Sequence, residues 1–146
     1  VPTARAAPLY SPELLALATG LADYPLNAEL PYLIEARSRT CGSTIMLGVS
    51  VSDGARVQRI GMQVSACAIG QASAMVLAQS AQGQRASDII ATAAAIEEWL
   101  AGAGPLPDWP GIAVLGPALP HAGRHGALLL PWTAVRNALS SAATGG

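Results

Sequence analysis

The 146-residue sequence predicts an α+β fold, a small three-stranded antiparallel sheet with helices packed on one face, and three observations carry that expectation. Apolar residues alternate with a period of two through residues 45–52 and again through 60–64, on either side of Asp53-Gly54. From Cys67 onward the pattern changes to Ala-rich stretches with apolar residues at helical spacing. Strands come first and helices follow, unlike the alternating order of a parallel α/β sheet.

Residues 1–10 read as a loose Ala/Pro arm. Ser11 then precedes Pro12 and Glu13, a cap, a first-turn proline and an acidic residue, so a helix starts there, with Leu14, Leu17, Ala18 and Leu21 on one face. Tyr24-Pro25 closes it. Residues 33–40 read as a strand with Leu33, Glu35, Arg37 and Arg39 on a solvated face and Ile34, Ala36 and Ser38 on the other. In the next strand Ile45, Leu47, Val49 and Val51 share a face, and after the turn Ile60, Met62 and Val64 do the same. Val57 is out of phase, which suggests a bulge.

The Ala-rich run 67–82 predicts a helix with Ile69, Ala72, Val76 and Leu77 buried, ended by Gly83. Ser87-Asp88 reads as the cap of a second helix whose core stripe is Ile89, Ala93, Ile96 and Leu100, stopped by Gly102 and Gly104. Residues 105–120 are punctuated by Pro and Gly and leave room for one short helix around 112–115. A last helix is expected to begin near Pro131, with Trp132, Val135 and Leu139 inward, and to give way to a disordered tail at about 142–146. The length suits a single domain spanning 1–146.

Composition narrows the chemistry. Net charge is −1 and only 12% of residues are charged, so no basic surface for nucleic acid is expected. All eight positive residues are arginine, which excludes a Schiff-base or P-loop lysine. Hydrophobic residues reach 51%, yet no run approaches the roughly 18 consecutive apolar residues of a membrane span, and no signal-peptide pattern opens the chain. The expected setting is the cytoplasm, away from membranes, where two cysteines remain thiols. Glu97 and Glu98 are adjacent on a helix and point about 100° apart, so they do not form an acid/base pair. Ser43 and Ser73 have no histidine and carboxylate beside them in sequence, so a hydrolase has no support.

The two cysteines are therefore the candidates for chemistry. Cys41 lies between two strands in Thr40-Cys41-Gly42-Ser43, and Cys67 follows Ser65, a candidate N-cap, at the start of the Ala-rich helix. A helix N-terminus favours thiolate, so Cys67 is expected to be the more acidic thiol and the nucleophile. The hairpin brings its two outer ends out on one side of the sheet, and with them both sulfurs.

Cys41-Gly42, a hairpin, the run Cys67-Ala68-Ile69-Gly70-Gln71-Ala72-Ser73-Ala74, and then Gly83 resemble the U-type iron–sulfur cluster assembly scaffolds, the family of SufU, IscU and the N-terminal domain of NifU. Residues 124–139, with Leu130-Pro131-Trp132, resemble that family's last motif, and the Pro/Gly-rich connector resembles the insertion of the SufU branch. The resemblance implies a scaffold or sulfur acceptor rather than an enzyme. It further implies a cysteine desulfurase and apo-protein cluster acceptors as partners, and an iron–sulfur cluster or zinc held by Cys41 and Cys67, with sulfur accepted on Cys67. Two positions depart from the pattern. Ser43 stands where the family has a ligand aspartate, and Ala127 where it has a third ligand cysteine; the histidine of IscU falls on Gly126. Structural zinc takes four ligands, and His125, close to Ala127, is the candidate to supply a missing one. Two other outcomes stay open: a relative that keeps the fold as a protein-interaction module without metal, or a redox dithiol formed by Cys41 and Cys67.

Overall fold

The computed structural model describes residues 9–39 and 41–144. Helix α1 (Pro12–Ala18) starts where expected, with the Ser11 hydroxyl accepting from the Leu14 amide. Strands β1 (Tyr32–Arg37), β2 (Thr44–Val51) and β3 (Val57–Ser65) form one antiparallel sheet in the order β1-β2-β3. Helices α2 (Ala68–Ala81), α3 (Ala86–Leu100) and α4 (His125–Thr144) follow. This is the expected α+β arrangement, with α4 lying on β1 and β2, α2 on β3, and α1 and α3 packed on those two helices.

The register explains which face is covered. Ile45 pairs with Val64 and Ala36, Leu47 with Met62 and Ile34, and Val49 with Ile60 and Tyr32, so one face presents a continuous apolar surface to α2 and α4. The bulge lies between Ser50 and Val51, opposite the extra residue Gln58, and it is what returns Val57 to the buried side.

The other face is not wholly solvated. After a 3-10 turn at Leu21–Asp23 the chain crosses β3, the Tyr24 carbonyl accepting from the Met62 amide, and Leu30 settles against Gly48. Gly48 and Gly61 are cross-strand partners. A Cβ on Gly61 would lie 2.2 Å from the Pro25 carbonyl oxygen, so the missing side chains are what let this segment lie on the sheet.

Helix α2 carries the expected stripe and also buries Ser73, Ala74, Met75 and Ala78, since it is surrounded by α1, α4 and the sheet. Four helix boundaries differ from the sequence expectation. Helix α1 ends at Ala18, short of Tyr24-Pro25, and Leu21 falls in the separate 3-10 turn. Helix α3 begins at Ala86, ahead of Ser87 and Asp88, because the Ala86 amide donates to the Ala55 carbonyl and pins the start to the hairpin turn. Helix α4 begins at His125, so Pro131 is interior rather than in the first turn. The proline deprives the Ala127 carbonyl of its helical partner, and that carbonyl lies against Gly70, where the absence of a side chain gives it space. Finally, α4 runs through Thr144, so residues 142–144 are helical instead of part of a loose tail. The rest of that expected tail, and most of the expected arm, lie outside the described residues.

The Pro/Gly-rich connector is anchored to the core. Its 3-10 turn (Ile112–Ala118) buries Ile112, Leu115 and Ala118, and Trp109 donates its Nε1–H to the Val76 carbonyl at 2.9 Å. Trp109 also meets Trp132 edge to face, with ring centroids 5.2 Å apart.

Candidate functional site

Cys41 is placed by the β1–β2 turn. The Ser38 amide donates to the Ser43 carbonyl at 2.8 Å to close the turn, and Gly42 takes a left-handed φ of 72° that a side chain would strain. The turn leaves the Cys41 thiol exposed, 3.2 Å from the Ser38 hydroxyl and 3.0 Å from the Ser43 hydroxyl. The Ser38 hydroxyl, then the Ser43 hydroxyl, hold this thiol below its ordinary value against an opposing effect of burial; the Ser43 backbone amide and, last, the Arg124 guanidinium add to the lowering.

Cys67 is itself the N-cap of α2, in place of Ser65, and its side chain makes no capping hydrogen bond. It is half-buried and packs against the core. Thr44 pairs with Ser65 across the hairpin, so Cys41, three residues before Thr44, and Cys67, two after Ser65, emerge at the same end of the sheet. Two hydroxyls gather around the Cys41 sulfur, whereas the Cys67 side chain makes no capping hydrogen bond at the start of α2.

Helix α4 closes the site from a third side. A Cβ on Gly70 would lie 2.7 Å from the Ala66 Cβ and 3.3 Å from the Ala127 Cβ, which sets the first turn of α4 against the turn that follows Cys67. Arg124, in the 3-10 turn Ala122–Arg124 that leads into α4, contributes its charge at Cys41. Positions 43 and 127 are thus both at the site: Ser43 is buried with its hydroxyl on Cys41, and Ala127 is buried beside the Cys67 turn.

His125 lies elsewhere on α4. Its Nε2 is 2.8 Å from the Leu119 carbonyl, and its ring lines a hollow with Glu97, Leu100 and Ala101. Among the described residues no three His, Cys, Asp or Glu side chains come together as a metal-holding group. Glu97, expected to be solvated, is exposed and paired with Arg136.

Sequence reasoning passed over Ser38 and Arg124 and gave Ser43 no role beyond a lost ligand. The two serines were within reach, since they flank Cys41 in a turn and hydroxyls there meet a neighbouring sulfur. Arg124 is 83 positions from Cys41, with no local signal linking them. No helix among the described residues is long and apolar enough to cross a membrane.

No family model matches the chain, and no curated protein matches it. Among solved structures, it is similar to the N-terminal part of a nitrogen-fixing NifU-like protein from Brucella abortus, at 27% identity and a TM-score of 0.87, over 94% of this chain and 96% of that one. It shares its fold with a protein assigned as an iron–sulfur cluster assembly scaffold for the SUF system from Fervidobacterium islandicum AW-1, at 21% identity and a TM-score of 0.75, over 90% and 96% of the two chains. A hypothetical protein at 21% identity and a TM-score of 0.67 shares it too, over 88% and 94%. The structural neighbours of this chain are therefore NifU-like and SufU-type proteins, and the three-stranded sheet with its helices is their fold.

Proposed function

We propose that this chain serves iron–sulfur cluster assembly as a sulfur acceptor and scaffold-like protein that docks on a cysteine desulfurase in the cytoplasm, with Cys41 taking the sulfur. One observation carries the choice of residue: an exposed thiol held between two serine hydroxyls, at the end of the sheet where the second cysteine also emerges. Likeness to a NifU-like protein over nearly the whole chain supports the pathway.

The chemistry asked of Cys41 is an exchange at sulfur. Its thiolate attacks the terminal sulfur of a persulfide on the desulfurase; the sulfur–sulfur bond in the donor breaks, the donor leaves as thiolate, and a persulfide forms on Cys41. No net oxidation or reduction occurs. As a neutral thiol Cys41 donates to the Ser38 hydroxyl oxygen; once it is ionised the hydroxyls of Ser38 and Ser43 turn to donate to the sulfur, and the positive charge of Arg124 adds a smaller effect in the same direction. Cys67, less exposed, is the second thiol available to sulfur or to a cluster that passes through as cargo on its way to an apo-protein.

The test is persulfide formation. The purified chain is incubated with a SUF-type cysteine desulfurase and cysteine, trapped with an alkylating agent and digested for mass spectrometry. The Cys41 peptide gains one sulfur; Cys41→Ser abolishes the gain and Cys67→Ser preserves it. A chain that binds the desulfurase yet never carries sulfur on Cys41 is an interaction module instead, and the proposal fails.

A further inference from the structure

We infer that the sulfur-accepting site of this chain works without a resident metal ion, the Ser43 hydroxyl holding the Cys41 sulfur where the resemblance places a metal. The inference deepens the sulfur-acceptor reading and rests on it for the site's purpose, while the exclusion of the ion rests on the donor set alone.

A structural zinc takes four ligands from cysteine, histidine and carboxylate. The chain has two cysteines, two histidines and nine carboxylates, and none of them falls in residues 1–8, at 40 or at 145–146, so the described residues hold the whole inventory. No three of these side chains come together. The two thiols are left with no third donor of that kind.

The two substituted positions are filled in ways that do not invite an ion. Ser43 is only 6% exposed, and its oxygen is 3.0 Å from Cys41 Sγ, a hydrogen-bonding distance between a hydroxyl and a sulfur. Whichever of the two donates, the hydroxyl is engaged with the sulfur, and a neutral oxygen in that bond is a poor replacement for a carboxylate ligand. Ala127 is 1% exposed and its methyl group closes against Gly70 and the turn after Cys67, a hydrocarbon contact in the place of a thiolate. The nearest candidate for rescue, His125, turns its Nε2 to the Leu119 carbonyl and faces the α3 side. Held by hydrogen bonds rather than by an ion, the Cys41 sulfur keeps its lone pairs for attack, and sulfur transfer requires no ligand exchange first.

The test is zinc uptake by the full chain, freed of metal with a chelator, incubated with one equivalent of zinc chloride and passed through gel filtration, alongside the rate of alkylation of each cysteine with and without zinc. The wild-type chain emerges without stoichiometric zinc, and the alkylation rate of Cys41 is unchanged by it. The double variant Ser43→Asp/Ala127→Cys retains one equivalent, and Cys41 alkylation slows by about tenfold or more, since a sulfur bound to the ion is no longer free to attack. Where the buried Ala127→Cys change prevents folding, Ser43→Asp alone, with three donors, is expected to hold zinc more tightly than wild type. Wild-type protein that carries one equivalent through the column with Cys41 protected overturns the inference, as does a folded double variant that takes up none. A zinc-free wild-type chain that fails the persulfide assay sinks the sulfur-acceptor reading and leaves the metal exclusion standing.

Discussion

Replacing Ser73 with alanine should destabilise the fold more than the loss of one hydroxyl suggests. Ser73 is fully buried on α2, donates to the Leu128 carbonyl at 2.6 Å and accepts from Trp132 Nε1 at 3.0 Å. Both partners are on α4, and both are themselves fully buried. The Ser73→Ala change removes the bond to Leu128, a net loss of about 1 kcal/mol, and strands the indole N–H in hydrocarbon, a further cost of about 1–3 kcal/mol. The sum is about 2–4 kcal/mol, which for a chain near 150 residues lowers Tm by roughly 5–15 °C. Urea unfolding followed by Trp fluorescence gives the equilibrium value, and a double-mutant cycle with Trp132→Phe isolates the Ser73–Trp132 coupling. A loss under about 0.5 kcal/mol, within the scatter of ordinary surface substitutions, would refute the reasoning. The residues neighbouring this network matter to the site, because Leu128 follows Ala127 directly and Gly70 lies one turn before Ser73.

Two other outcomes follow from the geometry. Gly61→Ala drives a Cβ to 2.2 Å from the Pro25 carbonyl oxygen, so the crossing segment must lift from β3 and the Met62-to-Tyr24 backbone bond with it; a loss of about 2–4 kcal/mol is expected in urea unfolding, and wild-type stability would show that the segment is not held there. The pH profile of Cys41 alkylation should have its midpoint below the value of about 8.5 for a free thiol, moving upward in Ser38→Ala and less in Ser43→Ala, in the order of their effects. A depressed thiol stabilises the fold above its unfolded value and loses that contribution as pH falls through its folded value, so reactivity and this contribution decline together on the acidic side. A midpoint at or above that of a free thiol, unmoved by either serine substitution, contradicts the cradle.

What could be read from the residues was the part governed by local periodicity. The hairpin, its bulge, the buried stripe of α2, that of α3 except that Trp99 is buried in place of Leu100, and the shared end for the two cysteines follow from alternation, helical spacing and one Asp-Gly turn. What escaped was set by distant contacts. Ser87-Asp88 has the chemistry of a cap, but the backbone bond between Ala86 and Ala55 starts the helix earlier; Pro131 looks like a first-turn residue, but Gly70, 61 positions away, makes space for an interior proline. Trp109 lies in a connector legible only by its Pro and Gly, and its place is set by the bond from its indole to the Val76 carbonyl.

The same division explains why the surroundings of Cys41 escaped the sequence. The sequence argument for Cys67 relied on a helix N-terminus, which acts through a partial charge and unsatisfied amides within a single turn. At Cys41 two hydroxyls lie within hydrogen-bonding reach of the sulfur and a full guanidinium charge adds to them, one of these three groups coming from a different element of the fold. Direct hydrogen bonds to the sulfur lower the Cys41 thiol, and no periodicity in the sequence announces them. The positions of both cysteines belong to the hairpin and would persist through many substitutions around them. On the proposed reading, the side chains at 38, 43, 124 and 127 decide which sulfur reacts and whether an ion sits between the two. On that reading, substitutions at 43 and 127 redirect the chemistry without disturbing the β2–β3 pairing that sets both cysteines at one end of the sheet.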